Sequence, residues 1–509
     1  MTAATQPADA QPADAQPAAA QPAAAQPAPA QPAPRSAGNR IPPGAIAFVV
    51  LLGSWAYTSD WLVPFALGTL MLGWRLLRKG PGTPVLAVAW TYQWAQVSAG
   101  LIYMAFTGDT LDTAVDSDWR PMVEISLVAI LALALGMRFG MRGVRPQEGA
   151  VESALSWRQL ILLYVLATVV AAMFLELTVS FAAFAGLYQG AVFLAFGRLA
   201  VLYLLFRRLL RPKLRPGWFA LVLAFEVSLG LASYFASFRE VIIIAALALL
   251  EAFDRRKLSH WLIGVGIAAS LGITSLVWTG IKGDFREAQD QDVALAASRE
   301  HKVELVEQLA GEWFARGRPA VQASVRKTVD RLWQVYYPSF ALKRVPREVA
   351  HTGGTFLLTA IIHVVTPRFF FADKDDLMSD SDKVRRYSGL NVAGAERNTS
   401  IAFGYVAESY VDFGMPLLLL PIFGLGIAVG WLFKRMWRLF VHVDIATGAT
   451  AISFWLAIYL FERSWDRTLG VGLTTLLFIG AAALVLDRSL VEIGALGRRG
   501  GAPAPAPVP

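Results

Sequence analysis

Residues 121–138 read PMVEISLVAILALALGMR, and this run decides the fold. It is eighteen residues long, with one acid near its start and one Arg at its end, which is the length and character of a helix crossing a bilayer. Working outward, runs of the same kind follow one another on both sides. They predict spans at 44–57, 61–77, 83–106, 121–138, 157–177, 189–206, 217–235, 239–253, 260–280, 414–433, 446–462 and 468–486. The runs 44–57 and 239–253 are short, so each either extends into its flanks or crosses only half the membrane. Composition agrees. Of 509 residues, 55% are hydrophobic and 17% charged, with a mean hydropathy of +0.48, whereas a soluble chain is about a quarter charged. The 16 Trp and 13 Tyr suit a protein with two membrane–water interfaces. With no Cys, disulfides, thiolate metal sites and cysteine nucleophiles are excluded.

The fold class is therefore an all-α polytopic membrane protein with about twelve transmembrane helices. Residues 1–40 form a tail in which QPADA, QPAAA and QPAPA units repeat from Gln6, too polar and too rich in Pro to bury a face. A basic region followed by an apolar core is missing there, so it does not read as a secretory signal. Residues 491–509, ending GAPAPAPVP, read as a second disordered tail. Between the tails lie a first bundle at 41–280, an insertion at 281–413 and three last spans within 414–490.

Charge in the loops sets orientation. With the N-terminus in the cytoplasm, the inner loops contain Arg75, Arg78 and Lys79; Arg138, Arg142, Arg145 and Arg158; Arg207, Arg208, Arg211, Lys213 and Arg215; Arg255, Arg256 and Lys257; Lys434, Arg435 and Arg438; and Arg488, Arg498 and Arg499. The short outer loops contain only Arg120, Arg239, Arg463 and Arg467. This bias puts both termini inside and the net charge of +8 on membrane-facing loops rather than on a nucleic-acid surface. Residues 281–413 then face out. Their first part, 293–350, has helical spacing (Leu305, Leu309, Trp313) with charges between, as in amphipathic helices on a membrane. The pieces 355–366 and 399–413 are apolar but too short to cross comfortably, which predicts re-entrant or protein-buried helices.

Two charges fall mid-span, Arg198 and Glu226, on helices joined by RRLLRPKLRPG. They lie eight and nine residues from the inner ends of their spans, so at about 1.5 Å per residue they share a depth and can pair. The alternative is a proton or ion pathway. Glu176 sits near an outer helix end, either interfacial or in a cavity wall.

The outer charges are the candidates for chemistry. IKGDFRE (281–287) offers Lys282 and Arg286, and HVVTPRFFFADKDDL (363–377) offers His363, Arg368 and Lys374. Arg385, Arg386 and Arg397 precede NTSIAFGYVAESYVDFGMP (398–416), where Glu408 and Asp412 are one helical turn apart with Tyr405 and Ser409 beside them. Carboxylates facing guanidinium groups at a bilayer surface suit a phosphate-bearing lipid and a hydroxyl to be deprotonated. The alternative is a set of solvated loop charges. The acids of DKDD (373–376) are loosely spaced, and no tight His or carboxylate triad for a metal is visible.

In order, ASFRE (236–240), WTGIKGDFR (278–286), a VP…HTGGTF turn, TPRFFFADKDD and NTSIAFGYVAESYVDFG resemble the O-antigen and oligosaccharide repeat-unit polymerases, the Wzy-type enzymes. Glu408, Tyr410, Asp412, Phe413 and Gly414 fit the spacing of one of their motifs, and the anchors cover about residues 200–435. The chain departs from members that have an outer-loop Arg with a Gly eleven residues later, so the roles of those loops are not carried over. The resemblance implies an enzyme of the bacterial inner membrane that acts on its outer face. It would transfer a growing glycan from polyprenyl pyrophosphate to a hydroxyl of the next lipid-linked repeat unit. A related ligase or polyprenyl-linked glycosyltransferase, and a transporter or flippase, are the alternatives. Glu408 is the implied base, with Asp412 or His363 as substitutes. Arg239, Lys282, Arg286, Arg368, Lys374, Arg397 and Tyr410 are the implied pyrophosphate ligands. Arg239 opens a span at the outer surface, where a helix N-terminus also attracts anions. The scheme needs no cofactor or metal. Its partners are lipid-linked oligosaccharide and membrane lipid, with a chain-length regulator and a flippase as accessory proteins.

Overall fold

The apolar runs are long and nearly free of Gly–Pro breaks, so in a medium without water their backbone bonds close internally as helix. The computed structural model describes residues 43–78, 80–82, 84–144, 151–181, 188–211, 213–232, 238–291, 299–366, 376–397 and 399–500. Within them are nineteen α-helices and no strand, the sole β-bridge pairing Val151 with His442. The helices before the insertion are α1 (Pro43–Thr58), α2 (Leu62–Leu77), α3 (Val85–Thr107), the single turn α4 (Asp112–Val115), α5 (Trp119–Gly140), α6 (Trp157–Ser180), α7 (Tyr188–Leu210), α8 (Pro216–Ala232), α9 (Phe238–Ala252) and α10 (Leu258–Gln291). The insertion contributes α11 (Arg299–Arg316), α12 (Arg318–Leu332), α13 (Tyr336–Arg344), α14 (Thr355–Val365), α15 (Asp380–Ser388) and α16 (Tyr405–Phe413). The chain continues with α17 (Leu419–Leu439), α18 (Val443–Ile458) and α19 (Trp465–Gly500).

This is an all-helical membrane protein. Among the described residues, five stretches are long and apolar enough to cross a bilayer: Trp119–Gly140, Trp157–Thr178, Leu258–Ala288, Leu419–Leu439 and Trp465–Ile493. Shorter apolar helices include Gly44–Thr58, Leu62–Leu77, Pro216–Ser228 and Val443–Ile458. Outward side chains such as Leu162, Met173, Leu262, Leu420 and Val485 are exposed along these helices, where lipid rather than water can cover them.

The tightest packing is between α5 and α17. Gly136 and Gly140 on one face Gly426 and Gly430 on the other, so that backbone meets backbone, the small-xxx-small arrangement of membrane helices. The centre of the protein is α18, buried along its length from Asp444 to Ile458. It is only 16 residues long, and its last carbonyls are received by side chains. Gln93 donates to Ile458 O, and Arg463 donates to Leu456 O at 2.6 Å and Ala457 O at 3.3 Å.

Three expectations are corrected here. The helix predicted to end at 280 runs on to Gln291, because Ile281 and Phe285 bury against Leu309, Trp313 and Ala320 of α11 and α12. The last helix likewise continues into the stretch read as a tail, as far as Gly500. The piece 399–413 is helical only from Tyr405, since Gly404 has φ 89° and a Cβ there would stand 2.5 Å from Phe461 O. The insertion is anchored rather than loosely laid on the bundle: Trp333 packs over Gly100 and donates from Nε1 to Val97 O at 2.8 Å.

Candidate functional site: a buried carboxylate–lysine cluster

Helix α16 enters the bundle with Tyr405, Val406, Ala407, Glu408 and Ser409 all buried. Tyr405 OH donates to Gln93 Oε1 at 2.7 Å, eight residues into α3, so the short helix lies between the long ones rather than on their surface. Burial of an irregular segment requires its polar groups to be satisfied by protein. Trp465 does much of this. Its indole N–H donates to Ser409 Oγ at 3.0 Å, and its backbone N–H, at the start of α19, donates to Glu408 Oε2 at 2.6 Å. Glu408 thus caps the N-terminus of the last helix, where a carboxylate is favoured.

The other oxygen of Glu408 meets a residue that sequence reasoning did not single out. Lys383, on α15, places Nζ 2.8 Å from Glu408 Oε1, 3.1 Å from Asp466 Oδ1 and 3.9 Å from Asp380 Oδ1. The same ammonium lies 5.2 Å from the ring centroid of Phe356 on α14. Asp380 is also held by Arg467 Nε at 2.9 Å and by Ser400 Oγ at 3.2 Å. The three carboxylates bring oxygen atoms within 4.8 Å of one another. No carboxylate triad was legible from spacing, and the fold makes one from α15, α16 and α19. Lys383 stands between its members and contacts all three.

Three carboxylates against Lys383 and Arg467 leave one negative charge in excess. Burial pushes the Glu408 carboxyl up to about 7, against the opposing pull of Lys383 and the Trp465 N–H. For Lys383, burial acts to lower the ammonium, but Glu408, Asp466 and Asp380 outweigh it and hold it above its usual range. The result is a fixed ammonium beside a carboxyl whose proton affinity is near neutrality, which is a proton-accepting arrangement. Side-chain exposure is graded: 1% at Glu408, 3% at Asp380, 8% at Lys383 and 19% at Asp466.

Asp412 faces a different way. It accepts from the backbone N–H groups of Phe356 and Leu357, both at 3.0 Å, and from the Thr352 hydroxyl, so it caps the first turn of α14. Tyr410 OH donates to Val345 O at 3.0 Å, and its ring meets His351 edge-on. The Glu408–Asp412 pair therefore serves two neighbouring elements, and its nearest cation is Lys383 rather than a guanidinium cluster.

The other predicted residues are dispersed. His363 lies in the last turn of α14, half-buried. Lys282 and Arg286 are one turn apart near the C-terminal end of α10, half-buried and exposed respectively. Arg368 and Lys374 lie outside the described residues, as do the side chains of Arg397 and Arg239; the backbone of Arg397 ends a 3-10 turn and that of Arg239 is in the first turn of α9. Glu176 accepts from Ser180 on the exposed end of α6. Within the bundle, Arg198 donates to Glu226 Oε1 at 2.7 Å and to Tyr164 OH at 3.2 Å. In comparisons with known proteins, no family model matches the chain, and no curated protein or solved structure matches it.

Proposed function

We propose that the chain is an inner-membrane glycan polymerase that joins polyprenyl-pyrophosphate-linked repeat units on the outer face of the membrane. The observation that carries this reading is the Lys383–Glu408–Asp466 cluster, built where the second half of the insertion meets the start of the last helix. In the twelve-span topology with both termini inside, this junction belongs to the outer half of the bilayer, at the level of lipid headgroups. The ion pair between Arg120 and Asp60, 2.7 Å apart at the ends of neighbouring helices, would mark the same surface. The stretch that resembles a motif of the Wzy-type enzymes includes Glu408, the buried member of the cluster.

The chemistry asks for a proton acceptor and for cations. Attack of the acceptor hydroxyl on the anomeric carbon requires loss of the hydroxyl proton, and a carboxyl with affinity near 7 is suited to take it at neutral pH. Negative charge develops on the departing pyrophosphate, and guanidinium groups stabilise it. Arg463 and Arg467 flank the cluster on the loop and first turn before and within α19, and the predicted ligands Arg368, Lys374 and Arg397 come from segments adjoining α14 and α16.

Lipid-linked glycans from cells lacking the protein test the assignment. Accumulated single repeat units are the expected result. Full-length polymer that remains unattached would mark a ligase instead, and an unchanged glycan profile would remove both readings.

A further inference from the structure

We infer that Asp466 is the residue that meets the acceptor hydroxyl, and that Lys383 passes the proton from it to Glu408. This deepens the reading above and rests on it. Glu408 is 1% exposed and both its oxygens are engaged, Oε1 by Lys383 and Oε2 by the Trp465 N–H. At that exposure Glu408 presents almost no surface to a substrate hydroxyl. Asp380 is 3% exposed and committed to Arg467 and Ser400. Asp466 is the most open carboxylate of the three, at 19%, and is set in the first turn of α19.

The connection is geometric. Lys383 Nζ lies at hydrogen-bond distance from both Asp466 Oδ1 (3.1 Å) and Glu408 Oε1 (2.8 Å), so protons can be exchanged across it without movement of heavy atoms. The step balances as follows. The acceptor O–H bond breaks and its proton goes to Asp466 Oδ1. The freed oxygen pair forms the bond to the anomeric carbon, and the bond from that carbon to the pyrophosphate oxygen breaks with its electrons on the leaving group. Lys383 then gives one proton to Glu408 Oε1 and takes the one on Asp466, so the ammonium is restored and Glu408 ends protonated. The cluster passes from one net negative charge to none, which favours uptake in a buried place. Asp380, Arg467, the Trp465 N–H, Ser400, the Ser464 hydroxyl and the Phe356 ring also face these three, and none needs to change state.

The inference is tested on the full-length protein in lipid nanodiscs with two readouts. The first is polymer formation from a lipid-linked repeat unit. Asp466→Asn is expected to lower the rate by about 10²–10⁴-fold, the contribution typical of a positioned base, and Lys383→Arg, which keeps the charge but cannot give up a proton, is expected to lose activity as Lys383→Met does. If wild type polymerises and Asp466→Asn retains more than about a tenth of its rate, the inference is overturned and the reading of the protein stands. The second readout is the infrared carboxyl band titrated without any glycan. A band that protonates near neutrality, disappears in Glu408→Gln, and shifts to lower pH in Asp466→Asn supports the coupled trio even if no glycan is polymerised, in which case the polymerase reading alone fails. A wild-type protein with no such band overturns the relay. Where Asp466→Asn does not accumulate, Asp466→Ser is used, and an unchanged rate in that variant overturns the inference.

Discussion

Replacing Gly430 by Ala is a direct test of how the bundle is held together. A Cβ at Gly430 would stand 2.2 Å from Met137 O, one at Gly140 2.3 Å from Ile427 O, one at Gly136 2.3 Å from Phe423 O, and one at Gly426 2.4 Å from Leu133 O. All four obstacles are backbone, so no side chain can swing away. An ordinary carbon–oxygen contact needs about 3.3 Å, so α5 and α17 would have to part by roughly 1 Å, enough to forfeit a quarter to a half of the dispersion at the contact. The glycine Cα–H groups point at those carbonyls, and each such contact contributes about 0.5–1 kcal/mol. With overpacking of about 1–3 kcal/mol, Gly430→Ala should destabilise by roughly 2–4 kcal/mol. Gly424 is the matched control: it lies on the same helix with nothing within 4 Å of its Cβ position, and Gly424→Ala should be neutral or slightly stabilising. The assay is thermal unfolding in detergent followed by size-exclusion chromatography. Gly140→Ala with Gly430→Ala should cost less than the sum of the two, because helices once parted accommodate both methyl groups. Equal stability of Gly430→Ala and wild type, or a larger loss in Gly424→Ala, would refute the packing argument.

Arg198→Ala or Glu226→Ala each leaves a charge within the bundle without its 2.7 Å partner, and should reduce folded protein by an amount consistent with about 3–5 kcal/mol; the double Leu variant should recover most of it in the same chromatographic assay. Asp412→Ala removes the acceptor of the Phe356 and Leu357 N–H groups and should destabilise α14 by about 1–2 kcal/mol, seen as faster proteolysis between α13 and α15, with Asn restoring part of the protection. Stability should also depend on pH through Glu408. Its pKa in the folded protein is above the usual 4.5, at about 7, so its contribution is full below about pH 4.5 and is lost as pH rises through about 7; wild type should lose stability relative to Glu408→Gln across that window. A constant difference between the two proteins from pH 4 to 8 would contradict this.

What the sequence made legible follows from linear distance along helices. Apolar runs mark the long apolar helices because every residue that crosses a bilayer meets the same solvent. Arg198 and Glu226 could be related because depth is proportional to residue number on a straight helix. Such counting cannot relate Arg397 to Glu408, since residues 399–404 are not helical and Glu408 is in the first turn of α16. Lys383 was hidden in SDSDKVRRYS, whose charges look solvated; its partners Glu408 and Asp466 are 25 and 83 residues away, and only tertiary packing unites them. One signal was available. Asp466 and Arg467 open an apolar helix after the short run RSW, and an acid in the first turn of such a helix sits at membrane depth, where charge demands a partner.

Polymer formation by the purified protein, with wild type and Glu408→Gln compared on one lipid-linked repeat unit, tests the central claim most directly. The side chain keeps its shape in Glu408→Gln and loses its basicity, so the folded protein should remain and the rate should fall by at least about 10²-fold. Wild-type rate should rise with pH through about 7 as the carboxyl gives up its proton. Polymer of wild-type length made at wild-type rate by Glu408→Gln would contradict the account.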